Sequence, residues 1–182
     1  MISPDARILP FRGNLPVLGP DVFVAPLAVI IGDVFLEEKT SVWYQTVIRG
    51  DMHFIRVGRR TNIQDHCVIH VTTDTHPVRI GDDVTIGHSV TLHGCTLDDG
   101  CLIGMGAVLL DGARVGAGAM VGAGSLVPPG MEIPPRMLVV GSPARVKRPL
   151  RPAESEEIRR AAEHYQEYAR HHARELGLLP PP

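Results

Sequence analysis

Three histidines in the middle of the chain have residue types and spacings that could bind a transition metal. His88 and His93 lie five positions apart in the segment IGHSVTLHGC, residues 86–95, and His70 precedes the first of them by 18 positions. Imidazole nitrogens are common ligands of zinc and related ions. A spacing of five does not suit one face of a helix, and an odd spacing puts two residues on opposite faces of a flat strand. Whether the histidines share a site therefore depends on the element that carries them.

A six-residue repeat runs through most of the chain and defines that element. An aliphatic residue opens each unit and a small or β-branched residue follows four positions later, as in IGDDVT and IGHSVT. About fourteen units obey this rule between Val24 and Leu126, and such a period is the sequence signature of a solenoid. We expect a parallel β-helix in which each unit is a short strand and a turn. Three units, about 18 residues, then make one coil of a triangular prism.

The repeat stops after Val127, and a helical segment follows the stretch GSPARVKRPL. Residues 152–176 are rich in Ala, Glu and Arg, which favour helices. Their apolar stripe at helical spacing consists of Ile158, Ala162, Tyr165 and Ala169. We therefore predict a β-helix domain over residues 1–150. Residues 151–182 are predicted to form a helix packed on the solenoid, followed by a frayed tail.

Counting units around the prism places His70 and His93 on one face, one coil apart. They are separated by 23 positions, and a bulge of about five residues within VTTDTHPVR explains the excess over a coil of about 18 residues. Adjacent coils are about 4.8 Å apart, so two imidazoles at this spacing can converge on one ion. Arg49 is predicted at the same position one coil below His70, which makes a column of three polar side chains.

His88 falls on a different face, one coil above Asp65 and around a corner from the other two histidines. We therefore do not expect it to reach the same ion within one chain. Three prisms packed about a threefold axis would place the face of His70 and His93 against the His88 face of the next subunit. The spacing thus predicts a homotrimer with a three-histidine metal site at each interface. The alternatives are three unrelated polar side chains, and Cys95 as a thiolate ligand instead of a small core residue.

Composition narrows the class of protein further. The 182 residues carry a formal net charge of −2 and only 4% aromatic residues. The chain therefore lacks the basic excess that neutralises phosphates, and we do not expect an aromatic platform for stacking bases. No apolar run has the length that spans a bilayer, and three cysteines form the sparse, odd set typical of reduced thiols. These features predict a cytoplasmic protein that binds neither nucleic acid nor membranes.

Three segments in this order on a hexapeptide solenoid with a C-terminal helix resemble the gamma-class carbonic anhydrases. They are IRGD (48–51), NIQDHCVIH (62–70) and IGHSVTLHGC (86–95). The resemblance implies an all-β solenoid with a left-handed parallel β-helix, assembled as a homotrimer with metal sites at its interfaces. It implies a carbonic anhydrase-like lyase (carbonate dehydratase), in which a metal-bound hydroxide hydrates CO₂ reversibly to bicarbonate.

The resemblance also assigns site residues. The implied metal ligands are His70, His88 and His93, and the implied metal is zinc, or Fe²⁺ or Co²⁺ in some settings. Gln64 matches a residue that orients the hydroxide. Tyr165 on the helix matches a tyrosine over the site, with Tyr168 as a competing match.

Four further polar residues match the family pattern around the ligands. Arg49 and Asp51 match an arginine and an aspartate linked to subunit pairing and bicarbonate handling. Asn62 and Asp65 match the neighbouring polar positions, and Asp65 is implied to pair with Arg49 of another subunit.

The chain departs from the family pattern where protons leave the site. The loop that carries a proton-shuttle glutamate in the best-studied members is short here, with Asp74 and His76, and Met52 replaces a second glutamate. His76 is a candidate relay, because an imidazole titrates near neutral pH.

Other activities stay open at the level of sequence. The GSPARV segment is common to hexapeptide acyltransferases, which use a catalytic histidine and coenzyme A. A metal-dependent acyl-CoA thioesterase and a non-catalytic trimeric assembly subunit are further alternatives.

Overall fold

The computed structural model describes residues 1–180 and shows a parallel β-solenoid with a C-terminal helix. The strands are β1 (Arg7–Leu9), β2 (Val17–Leu18), β3 (Phe23–Val24), β4 (Val29–Leu36), β5 (Ser41–Val42), β6 (Val47–Val57), β7 (Asn62–Ile63), β8 (Val68–His70), β9 (Val78–Ile80), β10 (Thr85–Ile86), β11 (Thr91–His93), β12 (Thr96–Leu97), β13 (Leu102–Ile103), β14 (Val108–Leu109), β15 (Arg114–Val115), β16 (Met120–Val121), β17 (Leu126–Val127), β18 (Glu132–Ile133), β19 (Met137–Gly141) and β20 (Ala144–Pro149). The helix is α1 (Pro152–Glu175). Most strands are very short because each six-residue unit uses the rest of its length to turn a corner.

Pairing between successive coils arranges the strands of residues 1–180 in two sheets. The first sheet has the order β20-β19-β16-β13-β10-β7-β5-β3, and its pairs are parallel except for the terminal hairpin β19–β20. In the second sheet the long strand β6 joins the run β8-β11-β14-β17 to the run β9-β12-β15-β18. These three runs of strands are the three faces of the prism. The predicted left-handed parallel β-helix with a C-terminal helix is therefore confirmed.

The aliphatic residues that open the units fill the interior of the prism. Ile48, Ile69 and Leu92 stack in register on β6, β8 and β11 and are fully buried. Burying one such side chain stabilises the fold by about 1.5–3 kcal/mol. On the other two faces, Ile133 stacks on Val115 and Val139 stacks on Val121, and both are also buried. The solenoid thus continues past Val127, where the repeat pattern in the sequence stops, because the prolines of PPGMEIPP lie at turns and still leave one inward aliphatic residue in each unit.

Helix α1 packs along the first sheet, where it contacts β3, β5 and β10. Its buried residues are Ile158, Ala162, Ala169 and Ala173, which agrees with most of the predicted stripe. Beneath the helix, the buried Trp43 ring makes edge-on contacts with Tyr165 and His172, at centroid distances of 5.2 and 5.0 Å. Within residues 1–180, no helix is both long and apolar enough to cross a membrane.

The two ends of α1 are held by specific contacts. At its start, the Glu154 carboxylate accepts a hydrogen bond from the Arg151 backbone N–H at 2.8 Å, which satisfies a donor that the helix leaves free. After its end, Leu178 and Leu179 pack against the cluster around Trp43. The expected frayed tail is therefore wrong for these two leucines, because their side chains cover apolar surface. The last two residues of that tail, 181–182, lie outside the described residues.

Candidate metal centre

Arg49, His70 and His93 form a column on the outside of one prism face. Parallel pairing puts Arg49 opposite His70 and His70 opposite His93 on β6, β8 and β11. Since side chains alternate along a strand, the buried residue before each of them points inward and the column points outward. The turn that absorbs the extra residues is closed by a bridge between Thr72 and His76. The predicted column and bulge are therefore confirmed.

The rings of His70 and His93 face each other through two nitrogen atoms. His70 Nδ1 lies 3.1 Å from His93 Nε2. The other nitrogen of each ring contacts a carboxylate: His70 Nε2 is 3.0 Å from Asp51 Oδ1, and His93 Nδ1 is 2.7 Å from Asp111 Oδ1. Because a carboxylate only accepts hydrogen bonds, this network assigns a proton to each of the outer nitrogens. The two facing nitrogens are then left with lone pairs, an arrangement that favours a cation between them.

The distance between the two facing nitrogen atoms suits zinc. A tetrahedral ion with Zn–N bonds of about 2.0–2.1 Å holds its ligand nitrogens roughly 3.3–3.4 Å apart, close to the observed 3.1 Å. Metal-binding histidines also donate their second ring N–H to a carboxylate or carbonyl, as both rings do here. The residues present therefore fit the implied metal. Over residues 1–180, one chain brings together no group of three or more His, Cys, Asp or Glu side chains that could hold an ion.

His88 lies in the other sheet, just after β10. Its Nδ1 is 2.8 Å from Asp65 Oδ2, and the Ser89 N–H donates to the Asp65 carbonyl at 2.9 Å. This confirms the predicted stacking of His88 one coil above Asp65. The His88 side chain is 44% exposed, against 20% for His70. Its carboxylate partner leaves Nε2 free for a ligand outside its own chain.

Asp51 connects His70 to Arg49. Burial disfavours the ionised form of Asp51, but hydrogen bonds from Arg49 and His70 outweigh this and hold the pKa of the carboxyl below its ordinary value. Arg49 pairs with Asp51 of its own chain. The implied pairing of Arg49 with Asp65 of another subunit stays a prediction.

Gln64 and Asn62 lie on or next to β7, on the His88 side of the prism. The Gln64 amide donates from Nε2 to Asn62 Oδ1 at 3.1 Å, and Asn62 Nδ2 donates to Thr85 Oγ1 at 2.9 Å. Asn62 is completely buried, whereas Gln64 is 6% exposed. Asn62 was expected among the site residues, and its burial suits it to holding Gln64 in place instead of contacting a substrate.

The two tyrosine candidates differ in their surroundings. Tyr165 packs against Trp43, and burial, with a smaller contribution from the charge of Asp65, raises its pKa to about 12. Tyr168 is 50% exposed. The structure therefore favours Tyr165 as the tyrosine on the side of the prism that carries Asp65 and His88, and its phenol is protonated at neutral pH.

The cysteines do not take part in the column of histidines. Cys67, Cys95 and Cys101 are free and buried, and burial raises the pKa of each thiol to about 12. Cys95 belongs to the main hydrophobic core. The structure therefore favours its interpretation as a core residue over that as a thiolate ligand.

Two contacts of the candidate centre were missed by the sequence analysis. Asp111 holds His93, and the Thr72 hydroxyl donates to Asp111 Oδ2 at 2.8 Å. Burial opposes ionisation of Asp111, but hydrogen bonds from Thr72 and His93 lower its pKa. Strand β14 pairs Leu109 with Leu92, so Asp111 lies just beyond the rung above His93. Counting one more coil would have placed Asp111 near His93, but the contact itself also depends on the space left at Gly94.

Comparisons with known proteins bear on both fold and site. The bacterial transferase hexapeptide (six repeats) family matches residues 94–129. A Bacillus cereus crystal structure, described as a putative acetyltransferase, has 40% identity and a TM-score of 0.92 over 96% of this chain and 99% of that one. A carbonic anhydrase of Geobacillus kaustophilus is 43% identical over 78 residues, 43% of this chain and 42% of that protein. Gamma carbonic anhydrase 1, mitochondrial, of Arabidopsis thaliana is 46% identical over 75 residues, 38% of this chain and 27% of that protein.

The fold and these likenesses define the class of protein. The chain belongs to the hexapeptide-repeat family. Proteins named as carbonic anhydrases, including gamma-class ones, are among its homologues, which confirms the resemblance drawn from the sequence. The matched stretch spans less than half the length of these curated relatives.

Proposed function

We propose that the protein catalyses the reversible hydration of CO₂ to bicarbonate at metal centres between the subunits of a homotrimer. The observation that carries this proposal is the 3.1 Å approach of His70 Nδ1 to His93 Nε2, each ring being held by its own carboxylate. His88, which is exposed on the other sheet and has its own carboxylate, supplies the third imidazole from a neighbouring subunit. Zinc fits this nitrogen set, and Fe²⁺ or Co²⁺ are the alternatives.

Each residue of the centre then has a physical role. A bound zinc ion would supply a Lewis acid that makes water reactive near neutral pH. Gln64 orients the reacting oxygen: one N–H of its Nε2 is donated to Asn62, and its carbonyl Oε1 accepts a hydrogen bond from that oxygen. The Arg49 side chain is 42% exposed beside the column and its guanidinium holds the bicarbonate anion, while Asp51 balances its charge and orients His70. Tyr165, on α1, covers the face of the prism that carries His88.

Three further residues have roles in subunit contacts and in the exit of protons. Arg49 and Asp65 lie on the two sheets that would meet at an interface, and we place an ion pair between them across subunits. His76 lies at the base of the bulge, partly exposed, where a proton can pass to solvent.

Zinc-loaded protein is expected to bind about one ion per chain and to accelerate CO₂ hydration, since each interface supplies three imidazoles and an open position for water. Metal content is measured by elemental analysis and hydration by stopped-flow with a pH indicator. Chelator-treated protein is the matched control and should be inactive until metal is returned. A preparation that binds no ion after loading with zinc, or with Fe²⁺ without oxygen, would contradict the proposal.

Acyl transfer is the second candidate, because the Bacillus cereus homologue is described as a putative acetyltransferase. The same zinc-loaded preparation is therefore assayed with acetyl-CoA, following the free thiol with and without an amine acceptor. Thiol release without an acceptor would indicate a thioesterase, and release only with an acceptor would indicate a transferase. A metal-bound trimer that is inactive in both assays would indicate an assembly role.

A further inference from the structure

The side chain of His93 contacts the Asp111 carboxylate outside the column, and this carboxylate is fixed in turn by a hydrogen bond from Thr72. His93 Nδ1 lies 2.7 Å from Asp111 Oδ1, and the second oxygen, Oδ2, accepts a hydrogen bond from the Thr72 hydroxyl at 2.8 Å. The three residues come from different coils or turns, with separations of 18 and 39 positions along the chain. A contact of this kind does not arise from neighbouring residues in the sequence, so the solenoid must bring it together.

The backbone next to His93 leaves space for this carboxylate. Gly94 has a φ of +57°, and a Cβ atom built on it would overlap Asp111 Oδ1 and approach His76 Cβ to 2.6 Å. A residue with a side chain at position 94 would therefore displace Asp111 from His93. The absence of a Cβ at Gly94 is a local requirement of the Asp111–His93 contact, in addition to the freedom of glycine at positive φ.

Thr72 also begins the bulge that separates the strands of His70 and His93. Its N–H donates to the His76 carbonyl at 3.0 Å, and its carbonyl accepts from the Thr75 N–H at 3.4 Å. One residue thus closes the bulge with its backbone and fixes Asp111 with its hydroxyl. The conformation of the bulge and the orientation of His93 are therefore linked.

We propose that Asp111 and Thr72 are positioning residues for His93. Asp111 keeps the ring proton on Nδ1 and directs Nε2 towards His70, and Thr72 fixes the carboxylate in the orientation that does this. Asp111 thereby does for His93 what Asp51 does for His70. The inference rests on the proposed function, because the orientation of His93 matters to a reaction only if His93 binds the metal.

The first test uses metal-free protein and therefore does not depend on activity. Imidazole ¹⁵N chemical shifts distinguish a ring protonated on Nδ1 from one protonated on Nε2, and His93 of the unmodified protein is expected to be protonated on Nδ1. In Asp111→Asn, the amide can present either its oxygen or its NH₂ group to the ring, so His93 should populate both tautomers. Thr72→Val should shift the tautomer in the same direction, whereas Thr72→Ser keeps the hydroxyl and should not.

The second test measures zinc affinity by competition with a chelator. Loss of a carboxylate partner of a metal-binding histidine lowers metal affinity by roughly 10–100-fold, and we expect Asp111→Asn and Gly94→Ala to fall in this range. Asp98→Asn is the matched control, because Asp98 is a solenoid carboxylate that pairs with Arg114 instead of a histidine. It should leave zinc affinity unchanged. Circular dichroism of each variant checks that the solenoid is intact.

The outcomes separate the two proposals. If the unmodified protein binds zinc and Asp111→Asn binds it equally tightly with an unchanged His93 tautomer, Asp111 only anchors the bulge and the inference is overturned. If the unmodified protein binds no zinc, the proposed function fails, and the tautomer of His93 in the metal-free variants still decides whether Asp111 orients the ring.

Discussion

A chain with alanine in place of His70 is expected to lose both metal binding and CO₂ hydration while it keeps its fold. His70 points outward from β8, and the buried Ile69 beside it is untouched, so the core should not change. The substitution removes one of the three imidazoles of each proposed centre and leaves the Asp51 carboxylate without its histidine partner. The loss of zinc affinity should exceed the roughly 10–100-fold that follows from removing an outer partner of a ligand.

The matched control for this variant is His171→Ala. His171 is an exposed residue of α1, and alanine is a good helix former at that position. Zinc content by elemental analysis and the stopped-flow hydration rate should match those of the unmodified protein. A His70→Ala chain that binds zinc with unchanged affinity would show that His70 is not a ligand.

Trp43→Ala is expected to cost about 3–5 kcal/mol in the free energy of unfolding, the usual range for truncating a buried aromatic residue. The Trp43 indole is 4% exposed and lies between Phe23 and the aromatic residues of α1, at centroid distances of 5.3 Å from Phe23 and 5.2 Å from Tyr165. Each coil of a solenoid depends mainly on its neighbours. Removal of the Trp43 indole should therefore detach α1 from the solenoid before the prism itself unfolds. Urea denaturation and hydrogen exchange of the α1 amides measure these two effects.

Trp43→Phe is the graded comparison for that experiment. It keeps an aromatic ring in the cluster and loses the 3.1 Å hydrogen bond that the indole N–H donates to Ser41 Oγ. The free energy of unfolding is expected to fall by about 1–2 kcal/mol, because one hydrogen bond is lost and the ring is smaller. Unchanged protection of the α1 amides in Trp43→Ala would mean that the helix is not held by this cluster.

The parts of the fold that follow a fixed period could be predicted from the sequence. An aliphatic residue every six positions specifies both the inward direction and the stacking of the coils. Unit counting therefore gave the register of Arg49, His70 and His93, and the neighbourhood of His88 and Asp65. The left hand of the solenoid came from the family resemblance, since a period does not encode handedness.

Contacts made by the corners and ends of the solenoid could not be predicted in this way. Asp111 reaches His93 because Gly94 leaves room for it, and a count of strand positions does not describe that space. The continuation of two of the inward stacks to Ile133 and Val139 was hidden by prolines that interrupt the residue pattern but not the geometry. Leu178 and Leu179 pack on Trp43 through tertiary contacts that a tail rich in proline did not suggest.

The central claim is that two histidines of one subunit and a third of its neighbour hold each metal ion, and mixing two inactive chains tests it most directly. His70→Ala and His88→Ala chains are unfolded and refolded together, and zinc content and CO₂ hydration are measured beside each variant refolded alone. Each variant alone has no complete centre. After random mixing, three in four trimers contain both chains and have one complete interface, so roughly one quarter of the centres should return. Zinc binding and hydration that reappear only in the mixture are the predicted result. No recovery in trimers shown to have exchanged chains would contradict a centre shared between subunits.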